Sequence, residues 1–113
     1  MTEDEARSWL HSTFGVSRET RDQLEAYVTM LLAESTQQNL IAESTYDHVW
    51  ARHIVDSAQL LTLAPPAKNN ESLWVDLGSG AGLPGVIVAI LSGYSVLMIE
   101  MRRKRVEFLQ SVI

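Results

Sequence analysis

The sequence predicts an α/β protein in which a helical N-terminal region leads into the opening strand, helix, strand unit of a parallel sheet. Three observations predict it. Apolar residues recur at helical spacing through the first 63 residues. The stretch "APPAKNNE", 64–71, has two prolines, two asparagines and no periodicity. Behind it, short apolar runs bracket the glycine-rich "LGSGAGLPG". The chain thus divides into a helical region over 1–63, a linker over 64–71 and a sheet-forming region over 72–113.

Each element has its own signal. Thr2 and Glu5 fit a capping box, and Ala6, Trp9, Leu10 and Phe14 follow at helical spacing until Gly15 stops the helix. Ser17 caps a second helix, whose stripe is Leu24, Tyr27, Val28, Leu31 and Leu32, and the pattern fades near Gln37. A third helix, capped from Ser44 or Thr45, carries Tyr46, Val49, Trp50, His53, Ile54, Leu60 and Leu61 on one side, with Arg52 and Gln59 on its polar face. After the linker, "SLWVDL" suits a buried strand and "PGVIVAIL" a helix with Pro84 in its first turn. "SVLMIE" suits a second buried strand after a turn at Ser92 and Gly93. "RRKRVEFLQSVI" is a last helix with no cap, glycine or proline to stop it.

Composition narrows the function classes. With 46% hydrophobic and 20% charged residues in 113, the chain is that of an ordinary globular domain. It has no cysteine, and His11, His48 and His53 do not cluster as ligands, so no metal site is expected. No basic and apolar leader opens the chain, and no apolar run approaches the roughly 20 residues of a spanning helix. A soluble cytoplasmic protein with no membrane partner is expected. The net charge of −5 argues against a general nucleic-acid binder, yet four of the nine basic residues stand together from Arg102 to Arg105. That run reads either as a solvated helix face or as an RNA-facing one.

Gly80, Gly82 and Gly85 satisfy GxGxxG, which behind a strand is a dinucleotide fingerprint. Asp76, at the strand end, counts against a pyrophosphate there. A carboxylate about 4 Å from a phosphate costs about 4 kcal/mol at an effective dielectric of 20. S-adenosylmethionine meets the requirement better: it carries a sulfonium and an ammonium, has no phosphate, and lies against a loop whose lack of Cβ permits close approach. Glu100, ending the second strand, is placed to accept hydrogen bonds from a ribose diol, each charge-assisted bond contributing about 1.5–3 kcal/mol. The alternative for Glu100 is a cap, or a pair with Arg102 or Arg103.

"DLGSGAGLPG", then "IE", then "KRVEFLQSV" resemble the RsmG family, also called GidB: bacterial methyltransferases that make 7-methylguanosine in 16S ribosomal RNA. The N-terminal half is similar too, with Asn39 and Leu40 preceding Arg52, His53, Asp56 and Ser57. The family's usual Trp-Asn is Ser35-Thr36 here, and its Thr is Ile41. The resemblance spans roughly residues 24 to 113. It implies a Rossmann-like class I methyltransferase sheet, S-adenosyl-L-methionine as cofactor and 16S ribosomal RNA or the small ribosomal subunit as partner. The cofactor-binding set expected is Asp76, Gly78, Ser79, Gly80, Gly82, Leu83, Glu100 and Met101, with Glu100 and Met101 near ribose and adenine.

His53, with Asp56 at i+3 and Ser57 at i+4, suggests a general base, but a hydrogen-bonded histidine tying helix to sheet is the better reading. Guanine N7 has a free lone pair and no proton to lose, so transfer needs positioning, and no catalytic residue is assigned. A sheet of this kind needs further strands. The chain is therefore expected to be the first half of an enzyme, inactive by itself, with an open sheet edge available to a second copy. The competing readings are a nucleotide-dependent oxidoreductase fragment and a non-enzymatic helical binding module.

Overall fold

A computed structural model of the chain describes residues 1–68 and 71–113, so Asn69 and Asn70 of the expected linker lie outside the described residues. Helix α1, Glu3–Phe14, starts at the expected capping box: the Glu5 N–H donates to Thr2 Oγ1 at 3.1 Å and the Thr2 N–H to Glu5 Oε1 at 2.9 Å. It stops at Gly15, which takes the left-handed conformation at φ 59°. Helix α2, Arg18–Ser35, is capped by Ser17, whose hydroxyl accepts from the Thr20 N–H.

The third helical segment departs from expectation. It opens as a 3₁₀ turn, Glu43–His48, continues as a π-wound stretch, Trp50–Ile54, and only then becomes α3, Val55–Leu63. Thr45 does not cap it, because its hydroxyl donates to the Ala42 carbonyl at 2.6 Å. The N-terminal amides are met instead by Glu3 of α1, which accepts from the Trp50 N–H at 3.0 Å and the Ala51 N–H at 2.9 Å. In the π turn, the Val55 N–H donates to the Trp50 carbonyl five residues back. The extra residue rotates everything after it about the helix axis. Ile54, Val55 and Ala58 are buried in consequence, whereas Leu60, expected on the apolar side, is 41% exposed.

Strands β1, Leu73–Leu77, and β2, Ser95–Ile99, pair in parallel with Val75 opposite Leu97. They are joined by α4, Gly85–Leu91, which packs on β2 and against α2 and α3. Helix α5, Arg103–Val112, follows β2. The expected buried strands are buried on one face only. Side chains alternate along a strand, so Asp76 and Met98 turn toward α4, while Leu73, Val75, Leu77, Leu97 and Ile99 are 43–75% exposed on the other face. Helix α4 is itself enclosed, with Val86, Ile87 and Val88 buried. One core joins both regions: Leu10, Leu24, Leu31 and Ile54 belong to the same cluster as Ile87, Phe108 and Leu109.

Candidate functional site

The loop from Gly78 to Pro84 leaves the C-terminal end of β1, and Glu100 leaves that of β2. In open α/β sheets this is the end where ligands bind. The loop's shape follows from its glycines, since Gly78, Gly80 and Gly82 take φ of 68°, 55° and 91°. They differ in surroundings. A Cβ at Gly78 would meet nothing within 4 Å, whereas one at Gly82 would lie 2.7 Å from Val86 Cγ2 and 3.1 Å from Leu109 Cδ2. Gly78 therefore faces open space and Gly82 is packed against the core.

The loop is pinned at both ends. The N–H groups of Gly78 and Ser79 donate to the Ile99 carbonyl, at 2.7 and 3.2 Å, which continues the sheet register into the loop. The Gly80 N–H donates to Glu100 Oε1 at 2.8 Å. Glu100 Oε2 accepts from the N–H groups of Met101 and Arg102, so one carboxylate bridges the glycine loop and the start of α5. The Arg102 and Gly80 amides hold its pKa below the usual carboxylate range, with Met101 and the Arg105 charge adding to them. Glu100 is thus both an anion beside the loop and a backbone cap. Its partners are main-chain amides, while Arg103 pairs with Glu107 at 3.2 Å.

Asp76 is buried and accepts from the Gly85 N–H at 3.0 Å, capping α4. A Cβ at Gly85 would come within 2.7 Å of that carboxylate oxygen, which is why glycine stands there. Ser79 is buried too, its hydroxyl donating to the Asp76 carbonyl at 3.1 Å. Leu83 is half-buried against the core, and Met101 is 94% exposed, its side chain turned to solvent. The structure therefore gathers Gly78, Gly80 and Glu100 at one open corner, sets Asp76, Ser79 and Gly82 behind it as support, and leaves Met101 apart.

Two contributors are absent from the expected set. Tyr27 of α2 donates its hydroxyl to the Ala81 carbonyl, inside the loop, at 2.7 Å. Burial, and secondarily the Asp76 charge, push its phenol well above the ordinary tyrosine range, so the proton stays in that bond. A polar tip within an otherwise aliphatic stripe was the only trace of this in the sequence. Arg105 has a guanidinium nitrogen 3.6 Å from where a Gly80 Cβ would stand, and it donates to the Asn39 carbonyl at 3.2 Å. The basic run is accordingly split, with Arg102, Arg103 and Lys104 exposed and Arg105 turned back toward the loop.

His53 is hydrogen-bonded as expected, but its Nε2 meets Thr45 Oγ1 at 2.8 Å, so it ties the helix to the preceding turn and not to the sheet. Burial, with Arg52 adding to it and Asp56 opposing it, lowers its pKa. No helix among the described residues is long and apolar enough to cross a membrane.

Residues 20–113 match the family described as GidB, rRNA small subunit methyltransferase G. Three similar proteins carry the name ribosomal RNA small subunit methyltransferase G. The one from Zymomonas mobilis is 55% identical over 115 residues, covering 97% of this chain and 52% of its own length. That from Sphingopyxis alaskensis is 55% identical, covering 96% and 46%. That from Rhizorhabdus wittichii is 49% identical, covering 97% and 49%. The chain spans about half the length of the curated relatives it matches.

Proposed function

Because this chain belongs to the GidB family, rRNA small subunit methyltransferase G, we propose that the protein transfers a methyl group from S-adenosyl-L-methionine to N7 of a guanine in 16S ribosomal RNA. The observation that carries this is the corner where the left-handed Gly78, open to solvent, and Gly80, whose N–H is bonded to Glu100, meet that carboxylate at the C-terminal ends of two parallel strands.

The residues fit this cofactor better than a dinucleotide. In a dinucleotide fold the first amides of the helix after the loop receive pyrophosphate. Here the Gly85 N–H is bonded to the Asp76 carboxylate, and the Val86 N–H to the Gly82 carbonyl at 2.7 Å. A phosphate would displace an anion from that end. A sulfonium and an ammonium meet a favourable field from Asp76 and Glu100.

When bound, the cofactor supplies an electrophilic methyl group. The chain's own residues do the rest. Gly78 and Gly80 admit the methionine part against bare backbone, Glu100 accepts from the ribose hydroxyls, and Asp76 holds the loop's far end on α4. The lone pair of N7 needs no base, so rate comes from alignment. The exposed Arg102 and Lys104 lie beside the loop's partner strand, where they meet RNA phosphates.

Calorimetry on the protein tests this. S-adenosylhomocysteine is expected to bind and NAD is not. Asp76→Asn, which keeps an acceptor for Gly85 and removes the charge, weakens binding; Gly80→Val, which forces a β-branched residue into φ 55°, abolishes it. Tight NAD binding with no response to S-adenosylhomocysteine overturns the assignment.

A further inference from the structure

A cavity of about 300 Å³ lies between α3 and the glycine loop, lined by Leu83 and Pro84 of the loop and by His53, Asp56, Leu60 and Leu63 of the helical segment. The leucines of the helix are exposed there, Leu63 at 84%. Its size is at the small end of ligand pockets, which suits a single base rather than a whole nucleotide.

Ser57 and Gln59 line it too and bring a hydroxyl and an amide that can donate or accept, while His53 and Asp56 present acceptors. Thr45 has one hydroxyl proton and gives it to the Ala42 carbonyl at 2.6 Å. In its contact with His53 it therefore accepts from Nε2–H, and in the neutral ring Nδ1 is left as an acceptor. The lowered pKa keeps the ring neutral at pH 7. The Asp56 carboxylate, exposed on the same helical segment, is acceptor-only when ionised.

Of the four RNA bases, guanine alone presents two adjacent donors on its Watson–Crick edge, N1–H and the 2-amino group. Adenine and cytosine set one amino group beside an acceptor, and uracil one N–H between two acceptors. Resting on the reading of the protein as a guanine-N7 methyltransferase, we infer that this cavity holds the target base, with Asp56 accepting from N1–H and the 2-amino group and the ring lying between Leu60 and Leu83. N7 is on the opposite side of the purine from that edge, so recognition at Asp56 leaves the reacting atom free. It also requires an unpaired guanine, since a paired one has both donors occupied.

The test uses 5′-labelled uridine pentamers with a central guanosine, inosine or adenosine, titrated by fluorescence anisotropy against the protein saturated with S-adenosylhomocysteine. Inosine lacks only the 2-amino group. Loss of a hydrogen bond to a charged acceptor predicts that the guanosine pentamer binds roughly ten-fold more tightly than the inosine one. Asp56→Asn brings that ratio to about one with melting temperature and S-adenosylhomocysteine affinity unchanged. Leu60→Ala, which removes the apolar surface under the ring without adding charge, weakens all three pentamers together. Equal affinities in the wild type, no binding of any pentamer, or a guanosine preference that survives Asp56→Asn overturns the pocket. A wild-type protein that does not bind S-adenosylhomocysteine overturns the methyl-donor reading instead, and is seen before any RNA is added.

Discussion

Single residues in the loop divide into those that shape it and those that face its open side, and substitutions separate the two. Gly78→Ala adds only left-handed strain, about 1–2 kcal/mol, because open space surrounds it. Gly82→Ala adds that strain and a contact of 2.7 Å with Val86. Urea denaturation is expected to show Gly82→Ala as clearly the less stable variant. Tyr27→Phe removes the donor to the buried Ala81 carbonyl and is expected to cost about 1–3 kcal/mol. Glu100 gives a pH signature. Its pKa is lowered in the folded protein from 4.5, so its contribution to stability is complete above that value and fades as the pH falls through the lowered one. Acid titration followed by circular dichroism should show a steeper loss in wild type than in Glu100→Gln over that window. The sequence placed the glycines and Glu100 because strand, loop and strand are contiguous. It could not show that Asp76 points under α4, or that Met101 points away, because side-chain direction depends on which face of the sheet the helix covers.

Among the elements, those with local caps were legible. Thr2, Gly15 and Ser17 act within one turn of themselves, and α1 begins and ends, and α2 begins, where those residues stand. The third helical segment was legible in extent but not in winding, since its cap, Glu3, lies 47 residues from Trp50 in sequence. No periodicity reports such a partner. Glu3→Ala should therefore destabilise two elements at once, by about 0.5–2 kcal/mol as a lost cap, and Glu3→Gln, which retains an acceptor, by less. The readout is the thermal midpoint together with Trp50 fluorescence, because the Trp50 amide is one of the two released. The same π turn that misplaced Leu60 in the expected stripe is what leaves it exposed at the cavity beside Leu83.

For the whole molecule, the dominant feature is asymmetry of the sheet. Five aliphatic side chains, Leu73, Val75, Leu77, Leu97 and Ile99, form an uncovered face, and contiguous apolar surface of this kind drives association. The 113-residue chain is expected to self-associate with rising concentration in sedimentation experiments. Val75→Lys with Leu97→Lys, opposite each other in the register, should return it to monomer; unchanged sedimentation would show that this face is not the contact. The open face was hidden in sequence, because a run such as "LWVDL" reads the same whether one side or both are covered. The other face is anchored from far away, and the bond from Tyr27 to Ala81 crosses 54 residues. In time, that distance has a direction. Synthesis runs from the N-terminus, so α2 has left the ribosome before the glycine loop emerges, and the loop meets its support already made. A circular permutant that delivers residues 18–35 last would reverse that order, and its nascent loop would have to wait for the helix that gives it shape.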